Sequence, residues 1–303
     1  MEAIVYERFG GPEVLHLAQV DEVHPGPGQV RVKVRAAGVN PIDYKIRRGW
    51  MEQVFTTPLP ATPGSDVAGV VDEIGEGVTA FVPGDEVLGT SATGSYATHA
   101  LADVRALTRK PPDLSWEAAA ALPVASGTAS RVLDELAVTE GDTLLLHGAA
   151  GAVGSAAVQL AAARGATVIG TASPANHDYL RVLGAVPVAY GDGLVDRVHQ
   201  VAPQGVDAVF DASGRGALPD SIELRGGTDR IVTIADADAA RLGVAFSSGA
   251  GAVPGEHLAE SARLAAVGEL RVPVAQTFAL SDAAKAHEAS ETGHVRGKLV
   301  LVP

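Results

Sequence analysis

The sequence predicts an α/β protein of two domains, a β-rich domain followed by a domain built on a doubly wound parallel sheet. Between residues 3 and 107, short apolar alternations are separated by Gly and Pro, which is typical of strands joined by tight turns. After Pro111 and Pro112, β-branched runs alternate with helix-forming segments. This alternation is typical of parallel strands joined by helices that cover both faces of a sheet. A chain of 303 residues is long enough for two such domains.

The first domain is predicted from strands with a period of two. In residues 30–35, three valines alternate with Arg31, Lys33 and Arg35, which places the apolar side chains on one face of a half-buried strand. Turn residues at 24–28 (HPGPG) and 82–85 (VPGD) separate strands. Further strands are predicted at residues 3–6, 14–20, 67–74, 86–90 and 96–101.

The second domain follows the helix-forming residues 115–122 (SWEAAAAL). Its strands are predicted at residues 143–147, 166–171, 186–190, 207–211, 230–235 and 243–246. Its helices are predicted at residues 153–164, 175–183, 194–201 and 217–224. Near Val274 the chain becomes β again, and a helix at 282–291 and a strand at 298–302 are expected to rejoin the first domain. The predicted domains are therefore 1–115 with 270–303, and 116–269.

Composition and charge exclude several classes of function. A net charge of -13 and a pI near 5.1 argue against nucleic-acid binding, which depends on attraction to phosphates. The absence of cysteine excludes disulfides, thiolate nucleophiles and zinc sites built on Cys ligands. The nine histidines form no HExxH-like cluster, so no metal site is expected. The N-terminus shows no secretory pattern, and polar residues interrupt the apolar stretch 143–172, so a soluble cytoplasmic protein without a membrane partner is expected.

Residues 147–154 (HGAAGAVG) lie between a predicted strand and a predicted helix. In a dinucleotide-binding βαβ unit, this turn lets backbone N–H groups and a helix N-terminus approach a pyrophosphate. Gly151 is expected to allow that approach, and Gly154 to let helix and strand pack closely. The first position of the pattern is Ala149 instead of Gly. The alternative is a glycine-rich turn that binds nothing.

The next strand bears on which nucleotide is bound. An NAD site usually has Asp or Glu about twenty residues beyond the turn, where it accepts from the ribose hydroxyls. This chain has GTAS at residues 170–173, without an acid. A carboxylate would repel a 2′-phosphate, so its absence, together with the hydroxyls of Ser173 and Tyr190, favours NADPH. A helix cap ahead of Pro174 is an equally good interpretation of Ser173.

Seven segments in a fixed order extend the pattern over nearly the whole chain: AAGVNPIDYKIRRG (36–49), PGSDVAGVV (63–71), VPGDEVLG (82–89), PVASGT (123–128), HGAAGAVG (147–154), FDASG (210–214) and LSDAAKAHEASETGHVRGKLVL (280–301). Together they resemble the zinc-independent branch of the medium-chain dehydrogenases/reductases, the quinone oxidoreductases. The resemblance implies a GroES-like catalytic domain with an inserted Rossmann domain and an active-site cleft between them.

Zinc-dependent relatives hold their catalytic metal with a Cys in the first of these segments and a His in the second. In this sequence Asn40 and Ser65 stand at those places. Alcohol oxidation without a metal loses its Lewis acid. Hydride delivery to an electron-poor quinone or enone stays feasible, because the incoming charge delocalises onto a carbonyl oxygen.

The resemblance also implies roles for single residues. Asn40 and Thr128 are expected beside the nicotinamide, although Asn40 is equally interpretable as a turn residue ahead of Pro41. The pyrophosphate is expected to lie against Ala150, Gly151, Ala152 and Val153. The remaining cofactor-binding residues are expected to be Ser173 and Tyr190 at the 2′-phosphate, Ser213 and Ala235 near the nicotinamide ribose and ring, and Phe246 near the rim of the cleft.

Two departures from the family pattern concern the ends of this site. Family members usually carry Lys or Arg shortly after the Ser173 position, where this chain has Ala175 and Asn176. Arg296 or Lys298 is a candidate for the missing cation, unless both are solvated. The segment 234–256 is shorter than in longer relatives, so a more open acceptor site is expected.

Aromatic side chains and histidines complete the set of candidates. Tyr44 and Trp50 are expected to border a flat acceptor, with half-buried packing as the alternative for Trp50. His147 is expected to pack at a strand end. Three other histidines are expected at the surface or between domains: His99, His287 and His294.

The expected function is an NADPH-dependent, metal-free reductase that transfers hydride to a quinone or to the β-carbon of an enone. Water or a nearby hydroxyl such as Tyr44 is expected to supply the proton. The alternatives are an enoyl-thioester reductase of the same branch and a non-catalytic NADPH-binding protein. The family also implies a homodimer, formed through edge strands around residues 243–246.

Overall fold

The computed structural model describes residues 1–54, 56–249 and 255–303, except for the side chain of Glu256. The chain divides into two units, the first formed by Met1–Val124 with Val253–Pro303 and the second by Ala125–Ala252. No helix among the described residues is both long enough and apolar enough to cross a bilayer.

The first unit begins with a series of strands interrupted by one short helix. Its elements up to the second unit are β1 Glu2–Val5, β2 His16–Gln19, β3 Gln29–Val39, α1 Pro41–Arg47, β4 Asp66–Ile74, β5 Glu86–Thr90, β6 His99–Asp103, β7 Leu107–Arg109 and α2 Trp116–Ala121. The predicted alternation is present in β3, where Val30, Val32 and Val34 are buried in the core of this unit.

The second unit alternates strands and helices, as the sequence predicts. Its elements are α3 Pro123–Glu135, which begins at the end of the first unit, then β8 Thr143–His147, α4 Ala152–Ala163, β9 Thr167–Thr171, α5 His177–Leu183, β10 Ala185–Val188, α6 Leu194–Val201, β11 Ala208–Asp211, α7 Leu218–Arg225, β12 Ile231–Thr233, α8 Ala239–Leu242 and β13 Ala245–Phe246.

The chain then returns to the first unit through α9 Gly255–Ala266, β14 Val274–Ala279, α10 Ala283–Glu291 and β15 Lys298–Val302. Helix α9, which lies within the predicted range 116–269, contacts β7 of the first unit. A Cβ at Gly255 would lie 2.3 Å from the carbonyl oxygen of Arg105, so the helix starts in close contact with the chain just before β7. Of the segment 234–256, residues 250–254 lie outside the described part of the chain.

The main sheet of the first unit has the strand order β14-β15-β3-β4-β5-β7, and β6 also pairs with β3. Strand β3 lies between β15 and β4, and both pairs are antiparallel. In this register Gly38 faces Val300 on one side and Asp66 on the other. The pairing therefore brings the end of β3, the start of β4 and the start of β15 together.

The six-stranded sheet of the second unit is parallel throughout and has the order β10-β9-β8-β11-β12-β13. The chain progresses outward from β8 in one direction and from β11 in the other, so the strand order switches between these two central strands. Ligands of doubly wound sheets bind outside the carboxyl ends of the strands at such a switch. The predicted fold class, a β-rich unit with a doubly wound parallel sheet, is confirmed.

Candidate functional site

The carboxyl ends of the six parallel strands form one row in the second unit. We call this the carboxyl row, and register pairs link its members in the order Val188, Thr171, His147, Asp211, Thr233 and Phe246. Ser173, Tyr190, Ser213 and Ala235 each lie two residues beyond a member of this row. The predicted cofactor residues that follow β9, β10, β11 and β12 are therefore at one edge of the sheet.

The glycine-rich turn leaves the carboxyl row after His147, at the switch between β8 and β11. Gly148 has a φ of +72°, a conformation that favours glycine. A Cβ at Gly154 would lie 2.2 Å from the carbonyl oxygen of Gly148, so only glycine lets α4 pack this closely on the turn. A Cβ at Gly151 would meet only that same oxygen, at 3.4 Å. Gly154 therefore has the close-packing role that the motif predicts.

Ala149, the departure from the glycine pattern, is accommodated by a glycine on the neighbouring strand. Ala149 is fully buried, and its backbone N–H donates to the carbonyl oxygen of Thr171 at 3.2 Å. A Cβ at Gly170 in β9 would lie 2.9 Å from the Ala149 Cβ. The methyl group of Ala149 thus occupies space that Gly170 leaves open.

Helix α4 begins directly after this turn, with Gly151 as its N-cap. The first N–H groups of an α-helix have no intrahelical acceptor, and the helix dipole adds partial positive charge there. Gly151, Ala152 and Val153 are partly exposed, and Ala150 is 9% exposed. A twelve-residue helix with accessible N–H donors at its start is suited to an anionic diphosphate.

His147 anchors the end of β8 beneath the turn. Its Nδ1 lies 3.2 Å from Thr171 Oγ1 and its Nε2 lies 3.0 Å from Ser221 Oγ. Ser221 donates to the carbonyl oxygen of Ala217 at 2.6 Å, so it accepts from Nε2 of a neutral imidazole. Burial lowers the pKa of His147, which favours that neutral form. The predicted packing at a strand end is observed.

Asp211, at the end of β11, organises the next loop of the site. Its Oδ1 accepts from the Ser213 hydroxyl at 2.7 Å and from the Ser213 and Gly214 N–H groups at 2.9 and 3.1 Å. Its Oδ2 accepts from the Thr233 hydroxyl at 2.8 Å. A Cβ at Gly214 would lie 2.5 Å from the carbonyl oxygen of Ala235, so the two predicted loops touch here. Ser213 and Ala235 are brought together by this contact.

Ser173 lies at the start of a short 3-10 helix, Pro174–Asn176, as the capping alternative predicts. Its hydroxyl makes no capping hydrogen bond with the backbone and instead accepts from Asn176 Nδ2 at 3.2 Å. The side chain that contacts the Ser173 hydroxyl is therefore the neutral amide of Asn176. The Ser173 hydroxyl keeps its own hydrogen to donate elsewhere.

Tyr190 is 57% exposed and follows β10 in a loop that Arg197 holds in place. The guanidinium of Arg197 donates to the carbonyl oxygens of Ala189, Asp192, Gly191 and Tyr190 at 3.0, 2.7, 2.9 and 3.3 Å. This arginine fixes the backbone that carries Tyr190.

The two other cofactor candidates of the second unit are on separate elements. Thr128 lies in α3 and is partly exposed. Phe246 is 50% exposed and lies in β13, the last strand in the sheet order. Phe246 is a member of the carboxyl row, whereas Thr128 is on a helix before the first strand of the sheet.

In the first unit, Asn40 is part of a buried polar cluster with Asp66 and Lys298. Lys298 Nζ lies 2.5 Å from Asn40 Oδ1 and 2.5 Å from Asp66 Oδ2, and Asn40 Nδ2 donates to Asp66 Oδ2 at 2.9 Å. Asp66 Oδ1 accepts from the Val124 N–H at 2.8 Å. Lys298 is 1% exposed, so the two expectations for it, a phosphate-binding cation or a solvated side chain, are both wrong. Its position in β15, opposite the end of β3, buries it.

Gly38 makes room for this cluster. A Cβ at this position would lie 2.5 Å from the carbonyl oxygen of Ala120, 2.7 Å from Lys298 Cε and 2.8 Å from Asp66 Oδ2, so helix α2 also requires glycine here. Asn40 itself is at the N-cap of α1, directly before Pro41, as the turn alternative predicts. Its side-chain amide contacts the Lys298 and Asp66 pair.

A second buried polar group contains Asp43 of α1, Tyr96 and His287. Asp43 Oδ2 accepts from the Asn40 N–H at 2.8 Å and from the Tyr96 hydroxyl at 2.9 Å. Burial raises the pKa of Asp43 to about 7, although both hydrogen bonds favour the carboxylate. His287 Nε2 lies 3.4 Å from the Tyr96 hydroxyl, and burial lowers the pKa of His287 to about 3.

The expected exposure of His287 is wrong. The side chain is fully buried in α10 and its ring meets that of Tyr96 edge to face, with 5.6 Å between centroids. The apolar residues on the same face of α10, Ala283 and Ala286, belong to the core of the first unit and turn His287 inward with them.

The predicted acceptor aromatics lie together. The rings of Tyr44 and Trp50 meet edge to face, with 6.2 Å between centroids. Trp50 is 63% exposed, and the Arg48 guanidinium lies 5.6 Å from its ring centroid. Arg48 donates to Glu291 at 2.5 Å, and the buried Arg47 donates to the same carboxylate. The exposed indole of Trp50 therefore lies beside the Arg48 guanidinium, which Glu291 holds in place.

The cluster around Asn40 does not fit a catalytic zinc ion. Its amide oxygen already accepts from an ammonium group, and that group places a positive charge at the cluster. Within the described parts of the chain, no group of three or more His, Asp or Glu side chains could hold a metal ion. Zinc sites are built from such side chains and Cys, and the chain has no Cys.

Sequence reasoning missed Asp66, Lys298, Arg197 and Asp211 as organising residues. Asp66 and Lys298 each carried a signal, because each is a charge at the start of an otherwise apolar strand, DVAGVV and KLVLV. Their pairing depends on strand register across more than two hundred residues, which the sequence does not reveal.

Comparison with known proteins adds family matches to this geometry. Residues 26–112 match the alcohol dehydrogenase GroES-like domain, and residues 183–301 match the zinc-binding dehydrogenase domain. The quinone oxidoreductase of Rattus norvegicus is 36% identical over 242 residues, which cover 77% of this chain and 73% of the rat protein.

Two solved structures are similar over their whole length. The quinone oxidoreductase from Coxiella burnetii has a TM-score of 0.89 and 35% identity, and the match covers 100% of this chain and 99% of that one. The Escherichia coli quinone oxidoreductase, solved in complex with NADPH, has a TM-score of 0.89 and 28% identity, and the match covers 100% of both chains.

Proposed function

Because the chain belongs to the quinone oxidoreductase family of the medium-chain dehydrogenases/reductases, we propose that it is an NADPH-dependent reductase of quinones or α,β-unsaturated carbonyl compounds that uses no metal ion. The observation that carries this proposal is the carboxyl row, with the glycine-rich turn at the switch between β8 and β11. Four of the proposed cofactor residues each lie two residues beyond a member of that row: Ser173, Tyr190, Ser213 and Ala235.

The residues of the second unit fit a dinucleotide. The backbone of residues 150–153 would hold the diphosphate, because Gly154 lets α4 start close to the turn with free N–H donors. Ser173 and Tyr190 would meet the adenosine 2′-phosphate, and neither brings a negative charge. Thr128, Ser213, Ala235 and Phe246 are proposed to line the nicotinamide end. The NADPH complex of the Escherichia coli relative supports the choice of nucleotide.

When bound, NADPH supplies a hydride from C4 of its ring, which reduces a quinone carbonyl system or the β-carbon of an enone. This chain contributes hydrogen-bond donors where negative charge develops on the acceptor oxygen. Asn40 is proposed for that role, because its Nδ2 carries two hydrogens and the Asp66 contact uses one. Water or the Tyr44 hydroxyl supplies the proton that completes the reduction.

The acceptor is proposed to lie against Tyr44 and Trp50. The exposed Trp50 ring offers a flat apolar face, which suits a planar quinone or conjugated enone better than a saturated alcohol. The Asn40 cluster offers an ammonium-bound amide where a zinc-dependent enzyme needs a metal ligand, so alcohol oxidation is not proposed.

A panel of acceptors tests this function. Absorbance decay of NADPH and of NADH is followed with ortho-quinones, para-quinones, enones and enoyl thioesters, beside a fluorescence titration of nucleotide binding. The proposal expects NADPH decay with at least one quinone or enone and slower decay with NADH. Decay with enoyl thioesters alone would favour the thioester reductase, and tight NADPH binding without any decay would favour a non-catalytic protein.

The proposal includes a cytoplasmic homodimer. Strand β13 is the last in the sheet order, and an edge strand offers backbone groups to a second copy. The half-exposed Phe246 on this strand would be covered by the partner or border the acceptor. Sedimentation velocity of the wild type and of Phe246→Ala tests the dimer, and acceptor kinetics of the same variant test the rim.

A further inference from the structure

The side-chain amide of Asn40 has one possible orientation in its cluster. An ammonium group can only donate hydrogen bonds, so the atom that faces Lys298 Nζ must be the amide oxygen. A carboxylate can only accept, so the atom that faces Asp66 must be Nδ2. Lys298 and Asp66 therefore fix both ends of the amide and leave one Nδ2 hydrogen in a defined direction.

The same contacts change the strength of that remaining donor. A hydrogen bond from a cation to an amide oxygen draws electron density away from the amide nitrogen, and hydrogen bonds in a chain polarise one another. Because Lys298 and Asp66 are 1% and 0% exposed, water screens this effect little. Lys298 therefore makes the free N–H of Asn40 a better donor than it would be beside Asp66 alone.

We propose that Lys298 is a positioning residue for hydride transfer, which holds and polarises Asn40 so that its free Nδ2 hydrogen meets the carbonyl oxygen of the acceptor. This inference rests on the proposed function, because it assigns Asn40 to the reacting partner. Lys298 is buried and acts through Asn40.

A purely structural role explains the cluster less well. A buried ion pair is often no more stabilising than apolar residues of similar volume, and the rest of β15, LVLV, is apolar. The position of Lys298 in β15 thus gives up apolar packing to keep an ammonium on the Asn40 oxygen.

The test compares five variants. Lys298→Met removes the ammonium and keeps an unbranched side chain. The double variant Asp66→Asn/Lys298→Met, which we call the charge-neutral pair, also removes the carboxylate that Lys298→Met would leave buried without its cation. Asn40→Ala and Asn40→Ala/Lys298→Met complete a double-mutant cycle. Lys110→Met is the matched control, because the Lys110 side chain is 4% exposed in the same unit but bonds to Glu86 and Pro111.

The first readout is the hydride-transfer rate constant in a single turnover, beside the Kd for NADPH. Lys298→Met and the charge-neutral pair are expected to slow hydride transfer about tenfold or more, the loss of one good hydrogen bond to a charged group, with little change in Kd. In the Asn40→Ala background the same change is expected to have no further effect. Equal effects of Lys298→Met in both backgrounds, or an equal loss in Lys110→Met, would overturn the proposal.

The second readout needs no acceptor and separates this inference from the proposed function. The Asn40 side-chain amide is identified by nuclear magnetic resonance from its loss in Asn40→Ala. Two distinct Nδ2 hydrogens, one of them slow to exchange with solvent, are expected in the wild type. Fast, averaged exchange is expected in the charge-neutral pair, and in Lys298→Met where it folds. If the amide stays fixed without Lys298, the inference fails even where the wild type reduces quinones. If no acceptor is reduced, the proposed function fails, and the amide spectra then decide only whether Lys298 fixes the Asn40 amide.

Discussion

Gly170 in β9 faces Ala149 in the glycine-rich turn so closely that a Cβ on Gly170 would lie 2.9 Å from the Ala149 Cβ. The alanine that departs from the dinucleotide-binding pattern is therefore tolerated because the neighbouring strand has a glycine. The two positions act as one packing unit beneath the start of α4.

Gly170→Ala is expected to overpack this contact. The free energy of unfolding should fall by about 1–3 kcal/mol, as for other overpacked cores, and NADPH affinity should fall with it because the turn shifts. Urea unfolding and a fluorescence titration measure the two effects. Gly227→Ala is the control, since a Cβ there meets nothing within 4 Å. Ala149→Gly/Gly170→Ala should regain part of both losses, and a double variant no better than Gly170→Ala would refute the contact.

Ser173→Asp is expected to reverse the nucleotide preference. The added carboxylate repels a 2′-phosphate and can accept from the ribose hydroxyls of NADH, so the Kd for NADPH should rise about tenfold or more relative to that for NADH. Titration of both nucleotides measures the ratio. Val182→Asp adds the same charge at a 75% exposed position of α5 and should leave the ratio unchanged. An unchanged ratio in Ser173→Asp would place the adenosine ribose elsewhere.

The buried Asp43 and His287 have opposite effects on the pH dependence of stability. The pKa of His287 falls from 6.5 to about 3 on folding, so stability decreases as the pH falls below 6.5. The pKa of Asp43 rises from 3.8 to about 7, so stability decreases as the pH rises above 3.8. Between pH 3.8 and 6.5 the two effects oppose each other. The lowered pKa of His147 adds to the effect of His287.

Asp43→Asn removes the titration of Asp43, so the effect of His287 on stability is no longer opposed. The fold should be kept, because an amide oxygen can still accept from Asn40 and Tyr96. Between pH 3.8 and 6.5, its stability should rise with pH more steeply than that of the wild type, by about 1.4 kcal/mol per pH unit. Urea unfolding across this range measures the slope. Asp178→Asn, at a side chain 98% exposed, should keep the wild-type slope. Parallel curves for Asp43→Asn and the wild type would contradict the raised pKa of Asp43.

Trp50→Ala is expected to weaken acceptor binding without affecting the nucleotide. The stacking contact between the indole and the acceptor contributes about 1 kcal/mol of binding free energy. Its loss should raise the KM of a flat quinone roughly fivefold, while the Kd for NADPH stays the same. Steady-state kinetics and titration separate the two effects. Val54→Ala, at a 66% exposed position, controls for loss of exposed apolar surface. A KM unchanged by Trp50→Ala would leave the indole as a surface residue.

The local pattern was sufficient to predict much of the fold. The predicted ranges of β5, β8, α6 and β15 coincide with the observed elements, because each combines a clear apolar pattern with flanking turn residues. Helix α1 was not predicted, although Asn40 followed by Pro41 is a common helix start. The position of Ser173, Tyr190, Ser213 and Ala235 beyond strand ends was predictable, because the motifs of the second unit follow its strands.

The polar cluster of the first unit was not predictable in the same way. Lys298 and Asp66 are far apart in sequence, and their contact depends on the registers of β15 and β4 against β3. The burial of His287 depends on which face of α10 meets the core. The need for glycine at position 38 has no local signal in the sequence, because the atoms that would meet a Cβ there belong to Ala120, Lys298 and Asp66. Long-range register thus limits what the sequence reveals.

A crystal structure of the protein with NADPH shows whether the glycine-rich turn holds the diphosphate. We expect diphosphate oxygens within hydrogen-bond distance of the backbone N–H groups at the start of α4, between Ala150 and Val153. A solution titration at the crystal pH establishes that the nucleotide is bound under those conditions. Nucleotide density away from this turn, or a turn without nucleotide at saturating NADPH, would show that the start of α4 is not the dinucleotide site.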